Sequence, residues 1–270
     1  MSVSVSTLGP KFSGRAIGVR FNDIQLVRSQ VLQVGGSNIV NTNFALVFIS
    51  LRPGSAQEVT DGAFPNLPII NTDNPRGIQI QRRDFGGTDG SVFLENILDS
   101  SNGNRISLPT ATENERQNIL YTIARTGSTQ TTGRYHLRSS TQNINQNVLT
   151  TSTPPNTQEL ELMCSGWSIG GRVGSSLSRN IDITLYRFVV FQFDTAAEMP
   201  DVSQLSVQEN FYNSTTMQTV NEQIAVSAYG TPALDIYGSA SQFSAGNVDR
   251  SGNGNNFTVL GTGSFTDVSD

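Results

Sequence analysis

The segment from Asn180 to Thr195 constrains the fold of this chain more than any other: Asn-Ile-Asp-Ile-Thr-Leu-Tyr-Arg-Phe-Val-Val-Phe-Gln-Phe-Asp-Thr. Its odd positions, Ile181, Ile183, Leu185, Val189, Phe191 and Phe193, are apolar, interrupted only by Arg187. Its even positions begin and end polar, at Asp182, Thr184, Gln192 and Asp194. Side chains of an extended strand alternate between faces, so the pattern predicts a long β-strand with one face on a core. In the middle, Phe188 and Val190 make the second face apolar too. A strand that needs cover on both faces is central in its sheet, or meets a second layer or another subunit. Phe188, Val190 and Arg187 are therefore candidates for a subunit interface. If Arg187 is buried instead, it requires a carboxylate or carbonyl partner.

The same two-residue period recurs along the chain. Arg15 to Phe21, Gln30 to Val34 and Ile39 to Leu51 read as strands, the last two joined through Gly35-Gly36-Ser37. Gly62 to Gly77 contains Pro65, Pro68 and Pro75 and reads as an irregular connection, too broken for a strand at a sheet centre. Ile78 to Arg82 resumes alternation, and Val92 to Leu98 with Arg105 to Leu108 reads as a hairpin, with a short helix at Val92 to Leu98 as the alternative. Thr112-Glu-Asn-Glu115 fits a capping box, and Ile119, Leu120 and Ile123 fit a helix face ended by Gly127. Ile119, Tyr121 and Ile123 also fit a strand, but the expectation is helix.

In Arg134-Tyr-His-Leu-Arg138, Tyr135 and Leu137 point one way and Arg134, His136 and Arg138 the other. The Thr-, Gln- and Asn-rich stretch from Thr141 to Pro154-Pro155 reads as a surface excursion. Leu160, Leu162 and Cys164 alternate, then Trp167 and Ile169. Ile224, Val226 and Ala228 suggest a later strand, as do Leu234, Ile236 and the segment Phe257 to Val268. Together these predict an all-β fold, a sandwich or jelly roll with long loops and one or two short helices. A single β-rich domain over 1–270 is expected. The alternative division is a main body over 1–195 and a smaller C-terminal module or arm over 196–270.

Surface chemistry points to assembly. Charged residues make up 14% of the chain, against about 25% in ordinary domains. Lys11 is the only lysine; every other fixed positive charge is an arginine. Lysine is depleted at protein interfaces and arginine enriched. An amide-rich, lysine-poor surface suits subunits that remain packed together. Val3 and Val5 alternate with serines in a terminal arm that could add as a strand to a neighbour, and they too are interface candidates. The net charge of −5, without a basic arm, excludes direct packaging of nucleic acid. No run has the length of a membrane helix. The first residues carry neither a basic nor an apolar leader region, so synthesis in a cytoplasm without ordinary secretory export is expected.

Catalytic chemistry finds little support. His136 is the only histidine and lies between two arginines, which favour its neutral, weakly basic form. No Gly-x-Ser-x-Gly elbow accompanies it. One cysteine, Cys164, and one histidine cannot build a zinc site. Asn247, Asp249 and Ser251, and likewise Asn71, Asp73 and Asn74, carry oxygen ligands but do not match a calcium loop, and metal-free Asx turns are the commoner use of such residues. The Arg134, His136 and Arg138 face remains a candidate for binding an anion or a charged glycan.

The expected protein is therefore not an enzyme and uses no cofactor or metal. It is a structural, self-assembling subunit, best fitted to a virus or phage particle as a capsid, spike or tail component. Its partners are copies of itself or other structural proteins of the same particle. The alternatives are an extracellular filament or surface-layer subunit, and a lectin-like or receptor-binding β-domain that takes a host glycan or receptor.

Overall fold

A computed structural model describes the protein at 6–7, 13–15, 17–21, 26–29, 44–53, 66–72, 77–85, 88–97, 104–107, 115–125, 131–150, 167–169, 183–220, 226–238, 249–253, 257–260 and 266–269. The fold is all-β. Its strands in chain order are β1 (Ser6–Thr7), β2 (Ser13–Arg15), β3 (Ile17–Phe21), β4 (Leu26–Ser29), β5 (Phe44–Pro53), β6 (Asn66–Thr72), β7 (Gly77–Phe85), β8 (Thr88–Ile97), β9 (Asn104–Ser107), β10 (Gln117–Arg125), β11 (Thr131–Arg138), β12 (Asn143–Thr150), β13 (Trp167–Ile169), β14 (Ile183–Phe193), β15 (Thr219–Val220), β16 (Leu234–Tyr237), β17 (Phe257–Leu260) and β18 (Thr266–Ser269). Helical structure among the described residues is a 3-10 turn at Ala196–Glu198, α1 (Leu205–Gln208) and α2 (Val226–Tyr229).

Every strand pairing among the described residues is antiparallel. One sheet runs β12-β11-β10-β5-β14-β3-β18, with β16 also paired to β14. A second runs β17-β4-β13-β6-β7-β8-β9, and a third, small one runs β1-β2-β15. Strands from 196–270 thus join sheets built mainly by 1–195. The long strand expected at 180–195 is β14, and it is central: β5 flanks it on one side, β3 and β16 on the other.

The register corrects the expectation that its odd positions share one face. A bulge falls between Leu185 and Arg187, with Leu185 opposite Leu51 but Arg187 opposite Ser50. One extra residue turns every later side chain to the other face. Leu185 therefore lies with Phe188 and Val190, while Arg187 lies with Val189, Phe191 and Phe193.

The helix expected around Ile119 is β10 instead, paired along its length with β5 and β11. Leu120 is buried on one face and Ile119 and Tyr121 on the other, so cover on both sides overrides the local helical signal. Glu115 caps no helix. Its carboxylate accepts hydrogen bonds from the Ser140 hydroxyl, the Thr141 amide (2.7 Å) and the Thr141 hydroxyl (2.9 Å), tying down the β11–β12 turn. The proline-broken stretch 62–77 holds β6, a central strand, whose register shifts between Pro68 and Ile70; a bulge accommodates a proline that cannot donate to the ladder. Of the amide-rich stretch expected as an excursion, 143–150 is β12, paired with β11, and 151–155 lie outside the described residues. Val226 to Tyr229 is a helical turn rather than a strand. The expected strand at 30–34, the Gly35–Ser37 turn and the alternation at 160–164 lie outside the described residues.

The segment 195–219 covers one face of the eight-stranded sheet. Val202, Phe211 and Tyr212 pack on Leu46, Phe48, Leu120, Val189, Phe191 and Phe193 in one buried cluster. The Phe211 ring centroid lies 5.0 Å from that of Phe48 and 6.2 Å from that of Phe191, within the range of favourable aromatic pairs.

Beyond β16, Gly238 donates its N–H to the Tyr186 carbonyl at the bulge. A Cβ at this glycine would fall 1.7 Å from the Leu185 carbonyl oxygen. Backbone cannot yield there as a flexible side chain would. Gly238→Ala is expected to lower stability by about 3 kcal/mol, read by urea denaturation; an unchanged midpoint would show that the approach of this segment to the bulge is not required.

Candidate functional site

On the face of β11 that carries Arg134, His136 and Arg138, the first two take separate partners. The His136 ring is 1% exposed. Its Nδ1 lies 2.9 Å from the Asn145 side-chain oxygen on β12, and its Nε2 lies 2.7 Å from the Tyr212 hydroxyl. With the amide oxygen facing it, Nδ1 carries the proton and Tyr212 donates to Nε2. The two rings are nearly parallel. Gln208 holds the same corner: its Nε2 donates to the Val202 carbonyl at 2.9 Å, and its Oε1 lies 3.3 Å from the Tyr212 hydroxyl. Burial lowers the His136 pKa to about 4, the positive charge of Arg138 adds to the shift, and the Asn145 hydrogen bond opposes it. Burial likewise raises the Tyr212 hydroxyl pKa. A neutral, doubly hydrogen-bonded imidazole beneath a tyrosine anchors the covering segment.

Arg134 points outward and pairs with Asp201 at 3.0 Å, with both side chains well exposed. The Ser203 hydroxyl holds the Asp201 carboxyl below the usual range; burial opposes it, and the Ser203 amide, Arg134 and Gln204 add to the lowering. An exposed pair of this kind contributes about 0–1 kcal/mol. The covering segment is also held at Met217, whose carbonyl accepts hydrogen bonds from Asn118 Nδ2 (2.9 Å) and Arg116 (3.4 Å). Met217 has φ of 60°, a left-handed conformation unusual for a side-chain-bearing residue.

The interface candidates on β14 are covered within the chain itself. Phe188, Val190 and Arg187 are each 0% exposed. Arg187 forms a bidentate pair with Asp235 on β16, Nε to Oδ1 at 3.1 Å and Nη2 to Oδ2 at 2.9 Å. The Arg187 guanidinium carbon lies 4.8 Å from the Tyr237 ring centroid and that of Arg250 lies 4.2 Å from it. Asp235 was missed by sequence reasoning, although a signal existed: like Arg187, it is a lone charge in an apolar strand, Leu234-Asp-Ile-Tyr237. Val3 and Val5 lie outside the described residues.

Asp249 uses its carboxylate as a turn-former. Oδ1 accepts from the amides of Asp235 (3.1 Å) and Ser251 (2.9 Å), and Oδ2 from the Ser251 hydroxyl (2.8 Å). This is the Asx turn expected at 247–251, and it seats the 249–253 segment beside the Arg187 pair. Asn247, Asp73 and Asn74 lie outside the described residues, as does the side chain of Asn71. Among the described residues no group of three His, Cys, Asp or Glu could hold a metal ion.

Two surface features remain. An open cleft of about 490 Å³ is lined by Gln192, Phe193, Asp194, Glu198, Tyr229 and Thr231, among others. Glu198 Oε2 accepts from the Asp194 and Thr195 amides at 3.0 and 3.2 Å, which fixes one carboxylate in the cleft. Asn210 donates to the Tyr229 hydroxyl at 2.6 Å. The second feature is β12, which among the described residues pairs with β11 alone and ends its sheet, and on which Asn143, Asn145, Gln146 and Asn147 are exposed.

No protein-family model matches the chain, and no curated protein sequence does. Among solved structures, it is similar to the alginate lyase Aly36B bound to alginate tetrasaccharide, at 12% identity and a TM-score of 0.35, over 57% of this chain and 71% of that one. Scytalido-glutamic peptidase with a peptide transition-state analogue matches at 12% identity and 0.33, over 58% and 78%. The marine PL-14 alginate lyase from Aplysia kurodai matches at 11% and 0.30, over 58% and 71%. Likenesses at this level carry no argument about activity.

Removing either half of the buried pair strands the other charge. Arg187→Met or Asp235→Leu alone is expected to cost about 3–5 kcal/mol, whereas the double replacement costs far less; a thermal-denaturation double-mutant cycle measures the difference. For His136, the folded-state pKa lies below the ordinary 6.5 of the unfolded chain. Its contribution is therefore fully present above that value and is lost as pH falls from 6.5 to about 4. Between pH 7 and 4.5 the wild type is expected to lose about 2 kcal/mol more than His136→Gln, read from urea midpoints at the two pH values.

Proposed function

We propose that this protein is a structural, self-assembling subunit, with a virus or phage particle as its setting and a capsid, spike or tail component as its role. The carrying observation is β12, eight residues long and uncharged throughout, which among the described residues pairs on one side only, with β11. Exposed edge strands template pairing with another chain, and proteins that remain monomeric guard them with lysine, proline, bulges or charge. β12 itself carries no lysine, proline or charge, and its register with β11 has no bulge. The lysine-poor, amide-rich composition supports the same reading. Two antiparallel sheets of seven and eight strands are compatible with a sandwich or jelly roll, the packing we propose for them. An extracellular filament or surface-layer subunit would use the same edge chemistry.

A second reading has one observation in its favour. The Gln192–Thr231 cleft sets carboxylates and an amide beside a tyrosine ring, a combination suited to a hydroxyl-rich ligand such as a glycan. It supports a lectin-like or receptor-binding β-domain.

Light scattering across a concentration series, followed by negative-stain imaging, separates the two. The structural reading expects mass to rise with concentration toward closed shells, rings or filaments. A monomer at every concentration that is retained on a glycan surface, and released when Asp194 is changed to Asn, would overturn it in favour of the binding domain.

A further inference from the structure

We infer that β12 pairs with β12 of a second copy of this chain, antiparallel across a two-fold axis that passes through Gln146. This rests on the self-assembly reading and names its contact. Among the described residues β12 pairs with β11 alone, in an unbroken register from Asn143 opposite Arg138 to Thr150 opposite Thr131. Its outward N–H and C=O groups are thus set out for one more strand. The other sheet ends suit this less. β18, at the far edge of the same sheet, has four residues and carries Asp267. In the other large sheet, β9 also has four residues and carries Arg105, and β17 is equally short.

The chemistry of β12 selects a copy of itself over a foreign strand. At a two-fold axis a residue meets its own twin. A charged side chain there meets like charge, which is destabilising for directly opposed pairs. An amide carries both donor and acceptor, so it can hydrogen-bond its twin without any change of protonation. The exposed side chains at 143, 145, 146 and 147 are all amides. Asn145 presents its oxygen to His136, which leaves its Nδ2 as a donor.

Strand geometry then limits the register. Backbone groups of alternate residues point to opposite neighbours, and directly opposed residues in an antiparallel pair share the same phase. In a self-pair the opposed residue numbers must therefore both be odd or both be even, so the axis passes through a residue and not between two. For greatest overlap the choice is Gln146 or Asn147. An axis at Gln146 places Asn145 opposite Asn147 and Ile144 opposite Val148, like with like. An axis at Asn147 places Asn145 opposite Leu149 and Gln146 opposite Val148, amide against aliphatic. Pair chemistry favours Gln146.

Two variants of the full chain test this. Gln146→Cys puts twin sulfurs at the axis, where opposed Cβ atoms lie about 5 Å apart, and under mild oxidation is expected to yield a reducible dimer on a denaturing gel. Wild type, with Cys164 alone, and Asn147→Cys should yield markedly less. Gln146→Lys, at an exposed site where folding should be unaffected by circular dichroism, is expected to weaken association about fivefold or more by light scattering. If wild type assembles but neither variant differs from it, this pairing is wrong and the self-assembly reading stands. Preferential cross-linking of Asn147→Cys would overturn the Gln146 axis. If wild type stays monomeric at all concentrations and Gln146→Cys does not cross-link, both fall.

Discussion

The Arg187–Asp235 pair is the constraint on which the centre of this molecule depends. A guanidinium and a carboxylate, each about 1% exposed, cannot stand alone in that environment. Their pairing fixes β16 against β14 and so sets where the chain lies after the covering segment. The bulge at Leu185/Arg187 is part of the same arrangement, since it turns Arg187 onto the face where Asp235 waits. The Asp249 carboxylate then accepts from the Asp235 amide, and the Arg250 guanidinium lies over the Tyr237 ring. A lone replacement in this group leaves a charge without compensation, which is why the pair acts as a unit.

A second set of polar contacts holds the segment 195–219 on its sheet. His136–Tyr212 and Asn118–Met217 each join a buried group on the sheet to one on the segment, and Gln208–Val202 braces the segment internally. In a chain so poor in charge, amides and hydroxyls supply much of this positional specificity. The same residue types dominate the exposed side of β12. Composition therefore links two different jobs: fastening the fold from within and presenting a neutral edge outside.

Strand patterning was largely legible where a segment is covered on one side or bounded by clear turns. β7, β9, β11 and β16 follow from alternation. The misses have distinct physical causes. At 112–126 a helical start signal competed with strand pairing, and neighbours on both sides decided the outcome. At 66–72 prolines spoke against a central strand, but a bulge absorbed Pro68. At 143–150 asparagine and glutamine spoke for loop, because intrinsic β-propensity is weak against the gain from pairing with β11. Of the polar centre, His136 and Arg187 were visible as odd residues, whereas Tyr212, Asn145 and Asp235 lie 9 to 76 positions away from the groups they serve.

By itself the sequence determined an all-β chain: alternating apolar residues at a two-residue period leave few other ways to bury them. It also determined a surface low in charge and almost free of lysine, since composition does not depend on folding. Only the tertiary structure decided which acid meets Arg187, which face each residue of β14 occupies after the bulge, and which strand is left at the edge. Those are matters of register and long-range pairing, and a shift of one residue, which scarcely alters the local pattern, reverses every side chain beyond it.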